Sequence, residues 1–108
     1  MSAPDTSALI ERAGRALLEA ASSPAKVVLF GSRARGEADE GSAFDFLVIE
    51  KKVDDRESET AKLRGALRHF EAPMNVVVMD AAQVEGRAKL PGTMVGRVLG
   101  EGRVIAES

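Results

Sequence analysis

Residues 27–50 of this 108-residue chain read VVLFGSRARGEADEGSAFDFLVIE. Val27-Val28-Leu29-Phe30 is an unbroken β-branched and aromatic run, the pattern of a strand buried on both faces. Gly31 and Ser32 break it sharply. A basic loop bounded by Gly36 follows, and Phe44 to Ile49 forms a second apolar run that carries an acidic residue, Asp45. A glycine at a strand end lets backbone N–H groups come close to a ligand, and consecutive amides in such a turn make an anion-binding nest. The Ser32 hydroxyl can bond a phosphate oxygen, and Arg33 and Arg35 add positive charge beside it. A Gly-Ser turn alone is usually only a turn. The order of the whole segment is what outlines a triphosphate site.

Working outward, Leu9, Ile10, Ala13, Leu17 and Ala20 recur at helical spacing behind candidate caps at Asp5, Thr6 and Ser7. Ser22-Ser23-Pro24 ends that helix, because the residue before proline is pushed out of the helical region. On the other side, Leu63, Leu67 and Phe70 predict a helix within residues 51–70, with Glu57 to Lys62 as its solvated face and Pro73 as its stop. Met74 to Met79 reads as a third strand. Asp80 and Gln83 form a capping box that opens a short helix to about Leu90. After Pro91-Gly92, the residues Met94, Val95, Val98 and Leu99 give another helical turn or two, closed by Gly100 or Gly102, and Arg103 to Ala106 a final short strand. Helical and extended segments thus alternate, which predicts an α/β (α+β) layered fold in one domain over residues 1–108.

Composition narrows the chemistry. The absence of cysteine removes thiol catalysis, iron–sulfur clusters and Cys-type zinc sites, and a single histidine, His69, makes a histidine-built metal centre unlikely. A net charge of −2 and four aromatic residues, all Phe, argue against a nucleic-acid surface. No apolar run approaches the ~20 residues of a membrane span. The N-terminus lacks a signal-peptide pattern, so a cytoplasmic location is expected.

The segment Phe30-Gly31-Ser32-Arg33-Ala34-Arg35-Gly36, followed after Ser32 by ten residues and then Ala43-Phe44-Asp45-Phe46-Leu47-Val48, resembles the signature of minimal nucleotidyltransferases of the DNA polymerase β superfamily. Pro73-Met74-Asn75-Val76-Val77 matches the setting of that family's third carboxylate. Leu90-Pro91-Gly92-Thr93 and Glu101-Gly102-Arg103-Val104 resemble its closing helix and strand. The resemblance implies a small mixed sheet of about four strands with helices packed mainly on one side. It implies Mg²⁺-dependent transfer of a nucleoside monophosphate from ATP or another NTP to a protein hydroxyl, as in antitoxins that AMPylate a HEPN-domain toxin. Gly31, Ser32, Arg33 and Arg35 would bind the nucleotide, and Asp45 would be the catalytic and metal-binding residue. A HEPN toxin is the partner implied, with self-association a further expectation.

The chain departs from the family pattern at two points. Two acidic residues at i and i+2 of a strand face one way and can share a metal site. Two divalent ions about 4 Å apart then clamp the attacking and leaving oxygens. Of the three family aspartates only Asp45 remains. Ala43 has no ligating atom, and Asn75 offers a neutral amide. Losing general-base assistance alone costs ~10²–10⁴-fold in rate. The expectation is a nucleotide site whose catalysis is impaired, or a non-catalytic module that acts on its HEPN partner by contact.

Overall fold

The computed structural model describes residues 6–39, 41–88 and 92–108. Its elements run α1 (Thr6–Ala20), β1 (Ala25–Phe30), α2 (Ser32–Arg35), β2 (Phe44–Glu50), α3 (Arg56–Ala66), β3 (Met74–Asp80), α4 (Ala81–Ala88), α5 (Met94–Glu101) and β4 (Arg103–Glu107). The four strands form one mixed sheet in the order β3-β2-β1-β4. β1 pairs antiparallel with both β2 and β4, while β2 and β3 are parallel. A parallel pair needs a crossover, and α3 supplies it.

Strand alternation sorts the core into two layers. Val27, Leu29, Phe44, Phe46, Val48, Val76 and Val78 face α1 and α3, where they meet Ala13, Leu17 and Leu63. Val28, Leu47 and Met79 face the other way and meet Val84 of α4 with Val95 and Val98 of α5. The central strands are buried on both faces, as their continuous apolar sequence requires. The two longer helices lie on one face, so that layer is the heavier.

Three details refine the sequence reading. The loop after Gly31 contains one helical turn, α2, rather than an irregular segment. The helix expected within residues 51–70 begins only at Arg56, where the Asp55 carboxylate accepts from the Ser58 N–H at 3.2 Å. Asp80 and Gln83 cap α4 reciprocally, at 2.8 and 3.3 Å. Asp5, Leu90 and Pro91, which the sequence reading also used, lie outside the described residues.

Glu57 to Lys62 is not wholly solvated, because Glu59 turns inward and is only 8% exposed. It meets Glu50, which is fully buried at the end of β2. The Ser22 N–H and Oγ donate to Glu59 at 2.9 and 2.7 Å, and Lys62 pairs with it at 3.3 Å. The Ser23 N–H and Oγ donate to Oε1 of Glu50 at 3.3 Å each, while its Oε2 receives no donor. A protonated Glu50 resolves that deficit, since it can donate to Glu59. Burial, and then the hydrogen bond and charge of Glu59, push Glu50 up to about 7. Burial works against Glu59 too, but hydrogen bonds from Glu50, Ser22 and Lys62 outweigh it and hold that carboxyl down at about 2. The two carboxyls and their serine donors join β2, α3 and the α1–β1 turn.

The two shifts give opposite pH dependences. Glu50 binds its proton more tightly folded than unfolded, so its contribution is lost as pH rises from about 4.5 through about 7. Glu59 contributes above about 4.5 and is lost as pH falls towards about 2. Urea denaturation should therefore show lower stability at about pH 8 than at about pH 5, and Glu50→Gln should remove most of that decline. An unchanged decline in the variant would assign the pH dependence to other groups.

Candidate functional site

The site forms where β1 ends beside the starts of β2 and β3. Phe30 pairs with Asp45 across β1 and β2, and Asp45 pairs with Asn75 across β2 and β3. Asp45 therefore sits mid-sheet between two neighbours, on the face shared with Leu47 and Met79. Beyond Phe30 the chain must turn away to make room for that carboxylate.

Gly31 makes the turn. Its φ of 77° lies in the left-handed region, and it serves as the N-cap of α2. Its carbonyl accepts from the N–H groups of Ala34 and Arg35 at 3.0 and 3.2 Å. The N–H groups of Ser32 and Arg33 open the helical turn, so they have no intrahelical acceptor. The Ser32 hydroxyl makes no hydrogen bond among the described residues. A Cβ on Gly31 would overlap Oδ2 of Asp45. Glycine here thus serves both the backbone geometry and the close approach of the carboxylate.

The two arginines sit differently from what the sequence suggests. The Arg33 guanidinium lies 4.2 Å above the Phe44 ring and donates from Nε and Nη2 to the Ser42 carbonyl at 3.3 and 2.9 Å. Phe44 belongs to the α1/α3 layer, so Arg33 is drawn to the sheet face opposite Asp45. It braces the β2 approach, and its stacking on an aromatic ring is a cation–π contact. Arg35 pairs with Glu101 of α5 at 2.8 Å and with Glu37 at 3.1 Å. Those hydrogen bonds, Glu101 first, raise its already high pKa, so it is a permanent cation. Nothing in the spacing of Arg35 and Glu101, 66 residues apart, announces the clasp they form between α2 and α5.

The positions that the resemblance assigns to metal binding carry a different donor set. Ala43, just before β2, presents only a methyl group. Asn75 is exposed and donates its Nδ2 to Oδ1 of Asp45 at 2.9 Å. One oxygen of Asp45 is thus held by an amide donor and the other lies against Gly31. Among the described residues no group of three or more His, Asp or Glu side chains could hold a metal ion. This donor set does not fit a two-metal centre, because hard cations of the Mg²⁺ type require several oxygen ligands, preferably anionic.

Gly31 and Gly36 allow the local geometry to be tested. Both have positive φ, but a Cβ on Gly36 meets nothing within 4 Å. Gly36→Ala should cost roughly 1–2 kcal/mol, the penalty of left-handed backbone alone. Gly31→Ala should cost more, because its backbone at φ 77°, ψ −160° is open essentially to glycine alone and its Cβ would also collide with Asp45. Equal urea midpoints for the two variants would contradict the close packing of Gly31 on Asp45.

Comparison with known proteins places this geometry. The sequence profile of the nucleotidyltransferase domain matches residues 10–104. No curated protein is similar enough in sequence to match the chain. Among solved structures, a chain of a toxin–antitoxin complex with AMP-PNP superposes with a TM-score of 0.58 at 19% identity, over 91% of this chain and 73% of that one. A chain from the complex of a tri-AMPylated Shewanella oneidensis HEPN toxin with its MNT antitoxin gives 0.52 at 19% identity, over 94% and 73%. A chain from a MntA–HpeT toxin–antitoxin variant gives 0.51 at 16%, over 92% and 73%. These likenesses establish a shared fold, and the profile match spans nearly the whole chain. The protein belongs to the nucleotidyltransferase domain family.

Proposed function

We propose that this chain is a minimal nucleotidyltransferase module that binds a nucleoside triphosphate at the Gly31–Ser32 turn and acts on a HEPN-type toxin as its antitoxin, with nucleotide transfer strongly impaired. The observation that carries the proposal is the contrast within one site. The Gly31–Ser32 turn leaves N–H groups without an intrahelical acceptor, whereas the carboxylate beside it accepts a hydrogen bond from an amide.

The binding half of this reading rests on available donors. The Ser32 and Arg33 N–H groups lack an intrahelical acceptor and the Ser32 hydroxyl makes no hydrogen bond among the described residues, so an anion at the end of β1 can accept from them. Arg35 adds a cation, tethered by Glu101, that a polyphosphate can compete for. Arg33 takes a supporting role, through Phe44 and Ser42. ATP is the nucleotide favoured, since one superposing structure contains AMP-PNP and another an AMPylated toxin.

The catalytic half rests on charge. In family members that use NTP with a divalent metal, three carboxylates oppose the cations. Here Asp45 alone remains, so neither the metal charge nor a general base for the acceptor hydroxyl is provided for. Holding a toxin by contact alone requires no transfer step, so the antitoxin role does not depend on catalysis. Ala43 and Asn75 favour that mode over AMP transfer.

Calorimetric titration should show ATP binding to the chain, with loss of binding in Ser32→Ala combined with Arg35→Ala. With a HEPN-type toxin as acceptor, AMP incorporation by the chain should be at least ~10²-fold slower than by the double variant Ala43→Asp/Asn75→Asp. Equal transfer rates would refute the impairment. Absence of ATP binding to both proteins would refute the nucleotide site.

A further inference from the structure

Asn75 does more than lack a charge. Its Nδ2 points at Asp45 and delivers a hydrogen bond to Oδ1, the two residues being paired in register across the parallel β2 and β3 strands. An amide donor aimed at a carboxylate is the electrostatic opposite of a third carboxylate. It places partial positive charge where the family fold would have a ligand oxygen. Reversing the amide would set its carbonyl oxygen against Oδ1, acceptor against acceptor, so the orientation is fixed unless a cation enters. Oδ2 is meanwhile covered on one side by the Gly31 backbone. A cation approaching Asp45 competes with this hydrogen bond for Oδ1, and Asn75 can offer it only a neutral oxygen in exchange.

We propose that Asn75 is the residue that makes this site independent of divalent metal: its amide takes the cation's place on Asp45, so the phosphate-binding turn accepts its nucleotide without Mg²⁺. This rests on the reading of the Gly31–Ser32 turn as the nucleotide site. It goes beyond that reading by separating nucleotide uptake from metal uptake, two events that the carboxylate cage of a two-metal site couples. The assignment concerns a positioning residue, since Asn75 acts through Asp45 rather than on substrate.

Two measurements test it on the intact chain. The first titrates Mn²⁺ alone, read by the loss of the free-ion paramagnetic signal. Binding to the chain should be no tighter than that of an isolated carboxylate. Asn75→Asp should bind at least about tenfold more tightly, because a second unit charge then lies within a few ångströms of the ion. Asn75→Ala, which removes the donor without adding charge, guards against misfolding of the aspartate variant and should fall between the two. Mn²⁺ binding by the chain as tight as by Asn75→Asp would overturn the proposal, and so would identical weak binding by all three proteins. The second compares ATP affinity in EDTA with that in excess Mg²⁺. Equal affinities support the proposal, and binding that appears only with Mg²⁺ overturns it. If ATP binds under neither condition, the nucleotide reading fails and the metal-independent uptake proposed here falls with it. The Mn²⁺ titration then still decides what Asn75 does to the cation site.

Discussion

The contact between Gly31 and Asp45 is the constraint around which the functional end of this molecule is arranged. β1 runs straight into the space that the Asp45 side chain occupies, and only a residue without a Cβ can pass there at positive φ. That turn starts α2, which exposes the first N–H groups of its single helical turn. Arg33 and Arg35 then leave α2 in different directions. One ties it to the β2 approach through Phe44 and Ser42, and the other ties it to α5 through Glu101. The turn is therefore fixed by three independent contacts rather than being a free loop, and ligand binding need not bear the cost of ordering it.

At the opposite end of the sheet a second polar cluster performs structural work. Glu50 and Glu59 are placed by different elements, and the raised pKa of Glu50 favours its neutral form, so that both can sit in a largely buried position. A lone buried carboxylate would be costly, whereas a pair that shares one proton carries a single charge that Ser22 and Lys62 satisfy. The cluster closes the end of the core where α1 hands over to β1.

Much of the architecture was legible in the sequence because its signals are local. The apolar runs of β1 to β3, the reciprocal capping of Asp80 and Gln83 and the closing strand all follow from periodicity and turn chemistry, whereas α3 ends at Ala66, well before Pro73 and without Phe70. The family was legible from the resemblance of the segments Phe30 to Gly36 and Ala43 to Val48 to its signature. What remained hidden depends on partners distant in sequence. Arg33 was read as a ligand contact because charge is visible in a sequence and the Phe44 ring it covers is not. Glu59 was read as solvated because nothing local shows Glu50 waiting behind it. Asn75 shows in the sequence as a missing carboxylate, but its hydrogen bond to Asp45 depends on the β2–β3 register, which emerges only once the crossover through α3 is in place.

Under the proposed function, the Gly31–Ser32 turn grips phosphate while the Asn75 amide occupies one oxygen of Asp45 beside it. Backbone amide chemical shifts recorded during an ATP titration in EDTA test this most directly, because they report on each N–H group separately. The account predicts saturable shifts concentrated at Gly31, Ser32, Arg33 and Ala34, with Asn75 responding as the neighbour of Asp45. Saturable shifts centred elsewhere in the molecule, or none at the Gly31–Ser32 turn, would contradict it.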